Sequence, residues 1–332
     1  MKAVKVVVIS SEHTNATWRW IDKHFENVDW FFYRAHPGNK FLLPFQRLFA
    51  SFQAVMQARR SDIIVSHGPY MAFYCAVLLW CFRIRTPHIV YAFNFAELPV
   101  GFALKRMQFA FKKINKLVVS STMEIGLYSD YFKIPYEQFD FVRWGVKDPR
   151  FEDSGNTFTK NYICAVGGNA RDYRTFMFAM KELPEIPAVV VVRPHNLIGL
   201  EIPQNVTVLT NIPKDEAYSV IAHSQFMVLP LKSNEIPCGH VTIVVAFYLG
   251  VPIIVTDSSG ISDYVKDHES GLLCLPGSKE SMKEKILALW NDPVLRNKLA
   301  QSGKAFAALE CSEENYVKHF KATIASVVEV YE

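Results

Sequence analysis

The chain has 332 residues, half of them hydrophobic and a fifth charged, with a net charge of +4; this excludes a disordered or low-complexity polymer and allows two domains of ordinary size. The charge is uneven: residues 1–150 carry 20 Lys/Arg against 11 Asp/Glu, whereas residues 151–332 carry 16 against 21. The halves are therefore expected to meet different partners, the basic half an anionic surface such as phospholipid headgroups or a lipid pyrophosphate.

The first element is a strand, Lys5–Ser10, whose apolar stretch is too short for a signal peptide and lacks a small-residue cleavage site. At its carboxyl end stand Glu12 and His13, either of which could accept a hydroxyl proton. Thr14 and Asn15 equally suit a capping loop. Residues 30–61 contain no acid, and set Arg34, Lys40, Arg47, Arg59 and Arg60 among Phe41, Phe45, Phe49 and Phe52. A strand follows at Asp62–Ser66, with His67 at its end. The run Tyr70–Phe82 is the longest apolar stretch, 13 residues, against the roughly 20 a spanning helix needs. Any membrane contact is therefore expected to be peripheral. Strands at His88–Phe93 and Lys116–Ser120 come next, with Asn94 and Glu97 after the first; Glu97 is a second candidate base. Residues 98–123 also lack acids, and place Lys105, Arg106, Lys112, Lys113 and Lys116 beside Phe102, Phe109 and Phe111. Basic aromatic helices of this kind bind membrane interfaces; the plainer reading is a solvated basic face over core aromatics. No nucleic-acid recognition motif is present.

Trp144–Lys160, with Gly145, Pro149 and Gly155, reads as a linker. Strands then recur at Tyr162–Val166, Ala188–Val192, Val206–Leu209, Phe226–Leu229, Pro252–Thr256 and Gly271–Leu273, and a last helix is expected from about Glu313 to Glu332. Strand–helix alternation with near-continuous Val/Ile runs predicts an α/β fold with parallel sheets. Gly167, Gly168 and Asn169 with Arg171 suggest a phosphate-facing loop of amides and a guanidinium; Arg171 could instead pair with a carboxylate. Arg193 follows a strand at the end where α/β ligands bind, or marks a surface turn. Gly239 and His240 open a helix whose free amides suit a diphosphate, with Val241 in the same turn and Thr242 adding a hydroxyl. Six scattered cysteines without a CxxC pair read as reduced thiols of a cytosolic protein. No zinc site and no metal-holding carboxylate pair is evident, and the expected metal content is none.

The segment Pro237 to Thr256, then Gly260, Asp263-Tyr264-Val265 and Gly271-Leu272-Leu273, resembles the GT-B glycosyltransferases, particularly the retaining family four. Val166 to Tyr173 is similar to the opening strand-loop-helix of their donor domain. The resemblance implies two Rossmann-like parallel-sheet domains facing across a cleft: an acceptor domain, 1–150 with helix 316–332, and a donor domain, 151–315. It implies transfer of a sugar from a nucleotide diphosphate sugar to a lipid-linked or saccharide acceptor. The bacterial setting would be cell-surface polysaccharide or lipooligosaccharide synthesis, on the cytoplasmic face of the membrane, with no cofactor. Asn211 and Ile212 would clasp the base through backbone groups, and Cys238 lies in the donor loop. Glu235 would stand for the first of the family's two Glu residues. The second falls near Val244 or Val245 and is missing; the family's active-site His falls at Asn94. Two other functions fit the same fold. A sugar epimerase would need carboxylates around the nucleotide sugar and no membrane face. A pseudo-transferase would bind a partner without chemistry.

Overall fold

A computed structural model of the protein describes residues 3–11, 19–35, 42–95, 97–145, 149–153, 155, 158, 160–232, 237–258 and 260–328. The chain divides into two compact units, Met1–Val142 with Tyr316–Glu332, and Arg143–Asn315.

In the first unit six strands form one parallel sheet: β1 (Val4–Ser11), β2 (Val28–Ala35), β3 (Ile63–His67), β4 (His88–Tyr91), β5 (Lys116–Val119) and β6 (Phe139–Phe141), in the order β2-β1-β3-β4-β5-β6. The central strands are Val/Ile runs because both faces are covered; Val6 through Ile9 and Ile63 through Val65 are all buried. Alternate residues of these strands pack against helices α1 (Leu43–Ala58), α2 (Pro69–Cys81), α3 (Gly101–Phe111) and α4 (Thr122–Phe132). The opposite set packs against the C-terminal helix, Glu313–Val328, through Tyr316, Val317, Phe320 and Val327. Two strands, β2 and β6, were not expected from sequence. Both are edge strands, where burial on each face is incomplete and the apolar run is broken by Asp29 and Asp140.

Helix α1 turns its small residues inward. Ala50, Ser51, Ala54, Val55 and Ala58 face the core, whereas Phe45 and Phe49 are 70% and 63% exposed. Small side chains let the helix sit close to the sheet and leave its phenylalanines outside. Among the described residues no helix is long and apolar enough to cross a membrane.

The second unit repeats the plan: β7 (Ile163–Val166), α5 (Tyr173–Lys181), β8 (Ala188–Val192), β9 (Val206–Thr210), α6 (Lys214–Ala222), β10 (Met227–Leu229), α7 (His240–Tyr248), β11 (Ile253–Thr256), β12 (Leu272–Cys274), α8 (Lys279–Asn291) and α9 (Pro293–Glu310). Its parallel sheet runs β12-β11-β10-β7-β8-β9.

Candidate functional site

The chain leaves β7 toward β8 and β9, then returns to the other side of β7 for β10, β11 and β12. Open α/β sheets bind ligands at the carboxyl ends of strands where the order reverses in this way. Here that point lies between β7 and β10, and it gathers most of the donor-site residues expected from sequence.

The loop after β7 is built around Arg171, which is only 5% exposed. Its Nη1 donates to the Asn169 carbonyl at 2.8 Å, and its Nη2 donates to Thr242 Oγ1 at 3.1 Å. Backbone bonds from Asp172 N to Pro230 O (2.9 Å) and from Lys232 N to Ala170 O (3.0 Å) fix the loop to the end of β10. Gly167 has φ +124°, and a Cβ there would stand 2.8 Å from Arg171 Nη2, so glycine is required for the guanidinium to lie where it does. Arg171 Nε has no hydrogen-bond partner, and among the described residues no carboxylate pairs with this side chain. Burial lowers its pKa, with Tyr173 and Cys238 acting in the opposite direction. A buried charge without a counter-charge costs several kcal/mol, about 3–5 where a partner has been removed. An anion placed beside the guanidinium would offset that cost.

Two further residues hold the rim. The Tyr173 hydroxyl donates to the Gly167 carbonyl at 2.6 Å, and Asn196 Nδ2 to the Gly168 carbonyl at 2.8 Å. Exposed Arg193 donates from Nη1 to Asn169 Oδ1 at 3.2 Å.

Helix α7 begins without a side-chain cap, because its N-cap is Gly239 at φ +92°. The first amides of the helix, on His240, Val241 and Thr242, therefore have no intrahelical acceptor and carry the positive end of the helix dipole. The His240 ring is committed elsewhere. It donates from Nε2 to the Gly260 carbonyl at 3.0 Å and stacks on Tyr264 with centroids 4.4 Å apart. Burial lowers its pKa, against smaller raising effects of Gly260 and Asp263. The ring is thus engaged within the protein, whereas the backbone amide has no intrahelical acceptor. The Tyr264 hydroxyl in turn accepts from Trp144 N at 2.8 Å. Thr256, buried at the end of β11, accepts from Leu231 N at 2.9 Å.

Asn211 is exposed at φ +54° directly after β9, and half-buried Ile212 packs on the core cluster beside it. Cys238 is half-buried and Val241 exposed. Glu12, His13 and Glu235 lie outside the described residues. Asn94 and Glu97 are both exposed in the first unit after β4. Half-buried His67 ends β3, and desolvation lowers its pKa to about 4. Sequence reasoning did not single out Tyr173, Asn196 or Thr256. Asn196 lies in the turn that Arg193 opens, which was the available signal. Among the described residues no group of three His, Cys, Asp or Glu could hold a metal ion.

Residues 196–306 match the family model described as glycosyl transferases group 1. An uncharacterized glycosyltransferase of Methanocaldococcus jannaschii is 34% identical over 93 residues, 28% of this chain and 26% of that protein. The chain thus spans about a quarter of the length of the curated relative it matches. Among solved structures, Anabaena Alr3699/HepE in complex with UDP superposes with a TM-score of 0.72 at 13% identity, covering 98% of this chain and all of that one. Sucrose-phosphate synthase from Thermosynechococcus elongatus superposes with a TM-score of 0.76 at 14% identity, covering 99% and 100%. The lipopolysaccharide outer core galactosyltransferase WaaB gives 0.65 at 12%, covering 97% and 99%. Together with the two six-stranded parallel sheets, these likenesses identify the chain as having the GT-B fold of glycosyltransferases, with a group 1 glycosyl transferase segment in its second unit.

Proposed function

We propose that the protein transfers a sugar from a nucleotide diphosphate sugar to a lipid-linked or saccharide acceptor at an anionic membrane surface. The carrying observation is Arg171: a buried cation without a carboxylate partner among the described residues, tied to the start of α7 at the sheet's reversal point. A donor diphosphate would supply the missing counter-charge. The Arg171 guanidinium and the amides of His240, Val241 and Thr242 would stabilise the charge that develops on the leaving diphosphate. Arg193, Asn169 and Gly168 would border the phosphates, and Asn211 with Ile212 would hold the base through backbone groups. These groups supply the positive charge a divalent ion would bring, so we propose transfer without metal or cofactor. The acceptor hydroxyl must lose a proton; Glu12, His13 and Glu97 are the candidates, while the Asn94 amide can only orient. The solved relative bound to UDP, which has also been crystallised with UDP-glucose, makes a uridine nucleotide the first donor to try.

The membrane part of the proposal rests on the first unit's exposed aromatics and on its basic charge, and suits a bacterial surface-polysaccharide or lipooligosaccharide pathway on the inner face of the cell membrane. The direct test is incubation with a panel of labelled nucleotide sugars, in EDTA, with bacterial lipid extract as acceptor. Label should enter the lipid fraction for one sugar, or be slowly hydrolysed without acceptor. No turnover of any sugar, or turnover only after a divalent ion is restored, would contradict the corresponding part.

A further inference from the structure

Helices α1, α2 and α3 pack side by side, and their outer faces carry pairs of aromatic rings that form an aromatic strip. Phe52 of α1 lies edge-on to Phe82 at 5.8 Å, just past α2, and Trp80 of α2 lies edge-on to Phe109 of α3 at 5.1 Å. Trp80, Phe82 and Phe109 are each about half exposed. Cations are threaded through the strip: Lys113 Nζ sits 4.4 Å from the Phe109 ring and 5.4 Å from Trp80, and Arg106 lies over Phe73 and Phe102.

Beside Trp80 the surface opens into a cavity of about 360 Å³ at the start of β4, within the roughly 300–1,000 Å³ of ordinary ligand pockets. Arg85, Thr86, His88, Lys113 and Asn115 supply its polar lining, and among the described residues no carboxylate lines it. A neighbouring depression shares Trp80 and Arg85 with it and adds Arg83. Arg83, Arg85 and Lys113 are exposed, and none of them has a carboxylate partner among the described residues. Buried His88 contributes the second observation. Its Nε2 meets Ser66 Oγ at 2.8 Å, and its Nδ1 has no hydrogen-bond partner. If Ser66 donates to Nε2, Nδ1 carries the proton and is a buried donor without a protein acceptor. Desolvation holds the ring neutral, its pKa lowered to about 3.

We infer that this cavity is a phosphate site for the headgroup of an anionic phospholipid, filled when the aromatic strip enters the bilayer surface. The inference rests on the membrane part of the proposed function and leaves the donor site aside. It differs from general electrostatic attraction in one respect: two arginines beside the cavity should count for more than two equal charges elsewhere on the same face. Arg83→Gln with Arg85→Gln removes the first pair; Lys105→Gln with Arg106→Gln removes a matched pair on α3 that does not line the cavity. All four residues are exposed, so folding should survive, which thermal melting checks. Co-sedimentation with phosphatidylcholine vesicles, with and without phosphatidylglycerol, measures binding without nucleotide. A charge-assisted hydrogen bond is stronger than simple proximity to the surface, so the cavity pair should weaken binding to phosphatidylglycerol vesicles about tenfold more than the control pair. Equal losses would overturn the pocket while leaving the membrane reading in place. Failure of the wild type to bind would overturn both. Titration of inorganic phosphate alone should show only weak binding. Tight phosphate binding that the cavity pair abolishes, without a difference on vesicles, would assign the site to soluble phosphate and overturn the lipid.

Discussion

At the scale of single residues, Arg171 organises the proposed donor region, and its energetics make a counterintuitive prediction. Replacing a buried charged group by an apolar one of similar volume is often neutral or stabilising. Arg171→Met should therefore leave the melting temperature of the nucleotide-free protein unchanged or higher, while removing the group we assign to the diphosphate. A fall in melting temperature of several degrees would show that the guanidinium is mainly a structural bridge between Asn169 and Thr242. Gly239→Asp is a poor probe of the same site: at φ +92° a Cβ would stand 2.9 Å from Leu229 Cδ2, so any side chain there strains the fold as well. Residue-scale legibility was uneven for a physical reason. Arg171, Gly167 and Gly239 announce themselves through local chemistry and spacing. Thr256 and Asn196 act through bonds to Leu231 and Gly168, partners 25 and 28 positions away, which no local pattern encodes.

At the scale of elements, the C-terminal helix is the clearest case of long-range packing. Phe320 is fully buried and stacks near Trp30, Phe25 and Tyr91. Phe320→Ala should cost about 3–5 kcal/mol, read by denaturant unfolding; a cost below about 1 kcal/mol would mean the helix is not held by this contact. The same helix brings His319 to Asp140 at 3.3 Å and to the Tyr91 hydroxyl at 3.0 Å. Burial alone would raise the Asp140 carboxyl; the hydrogen bond and charge of His319, the Phe141 amide and Lys116 outweigh it and hold the pKa below its usual value. A carboxylate depressed in the fold contributes stability above its unfolded pKa of about 3.9 and loses it as pH falls through the lower folded value. Wild type should thus melt above Asp140→Asn at neutral pH, and the gap should close below about pH 4. A gap that persists at acid pH would remove the ionic contribution. Ten of the strands were readable from their apolar runs; eight of these are central and buried on both faces, and the edge strands β9 and β12 keep Val and Leu runs. The edge strands β2 and β6 were not readable, because Asp29 and Asp140 break their apolar pattern.

At the scale of the whole molecule, the proposed membrane contact joins the charge division between the two halves to the outward-turned aromatics of α1, α2 and α3. An interface built from Lys/Arg and aromatic side chains gains about 1 kcal/mol per basic residue near an anionic surface, reduced by salt screening. Binding to phosphatidylglycerol vesicles should weaken as salt is raised and leave a residue due to the phenylalanines. Binding unaffected by salt would point to a purely apolar attachment. The GT-B fold was legible from the repeated strand–helix pattern and the segment after β10. The outward orientation of Phe45 and Phe49 was one of two readings left open, because a helix with both Ala and Phe faces can bury either, and only the closeness of α1 to the sheet decides for Ala.

The most direct test of the central claim is a calorimetric titration of uridine, guanosine, adenosine and cytidine diphosphates into the wild type and Arg171→Met. Truncating one partner of a buried, hydrogen-bonded charge pair costs about 2–5 kcal/mol, which is roughly a 30-fold or greater rise in Kd. The wild type should bind one of the four saturably, and Arg171→Met should lose at least that factor for the same nucleotide while remaining folded. No binding of any nucleoside diphosphate to the folded wild type, or equal affinity in the two proteins, would contradict the assignment of Arg171 and the start of α7 to a nucleotide sugar's diphosphate.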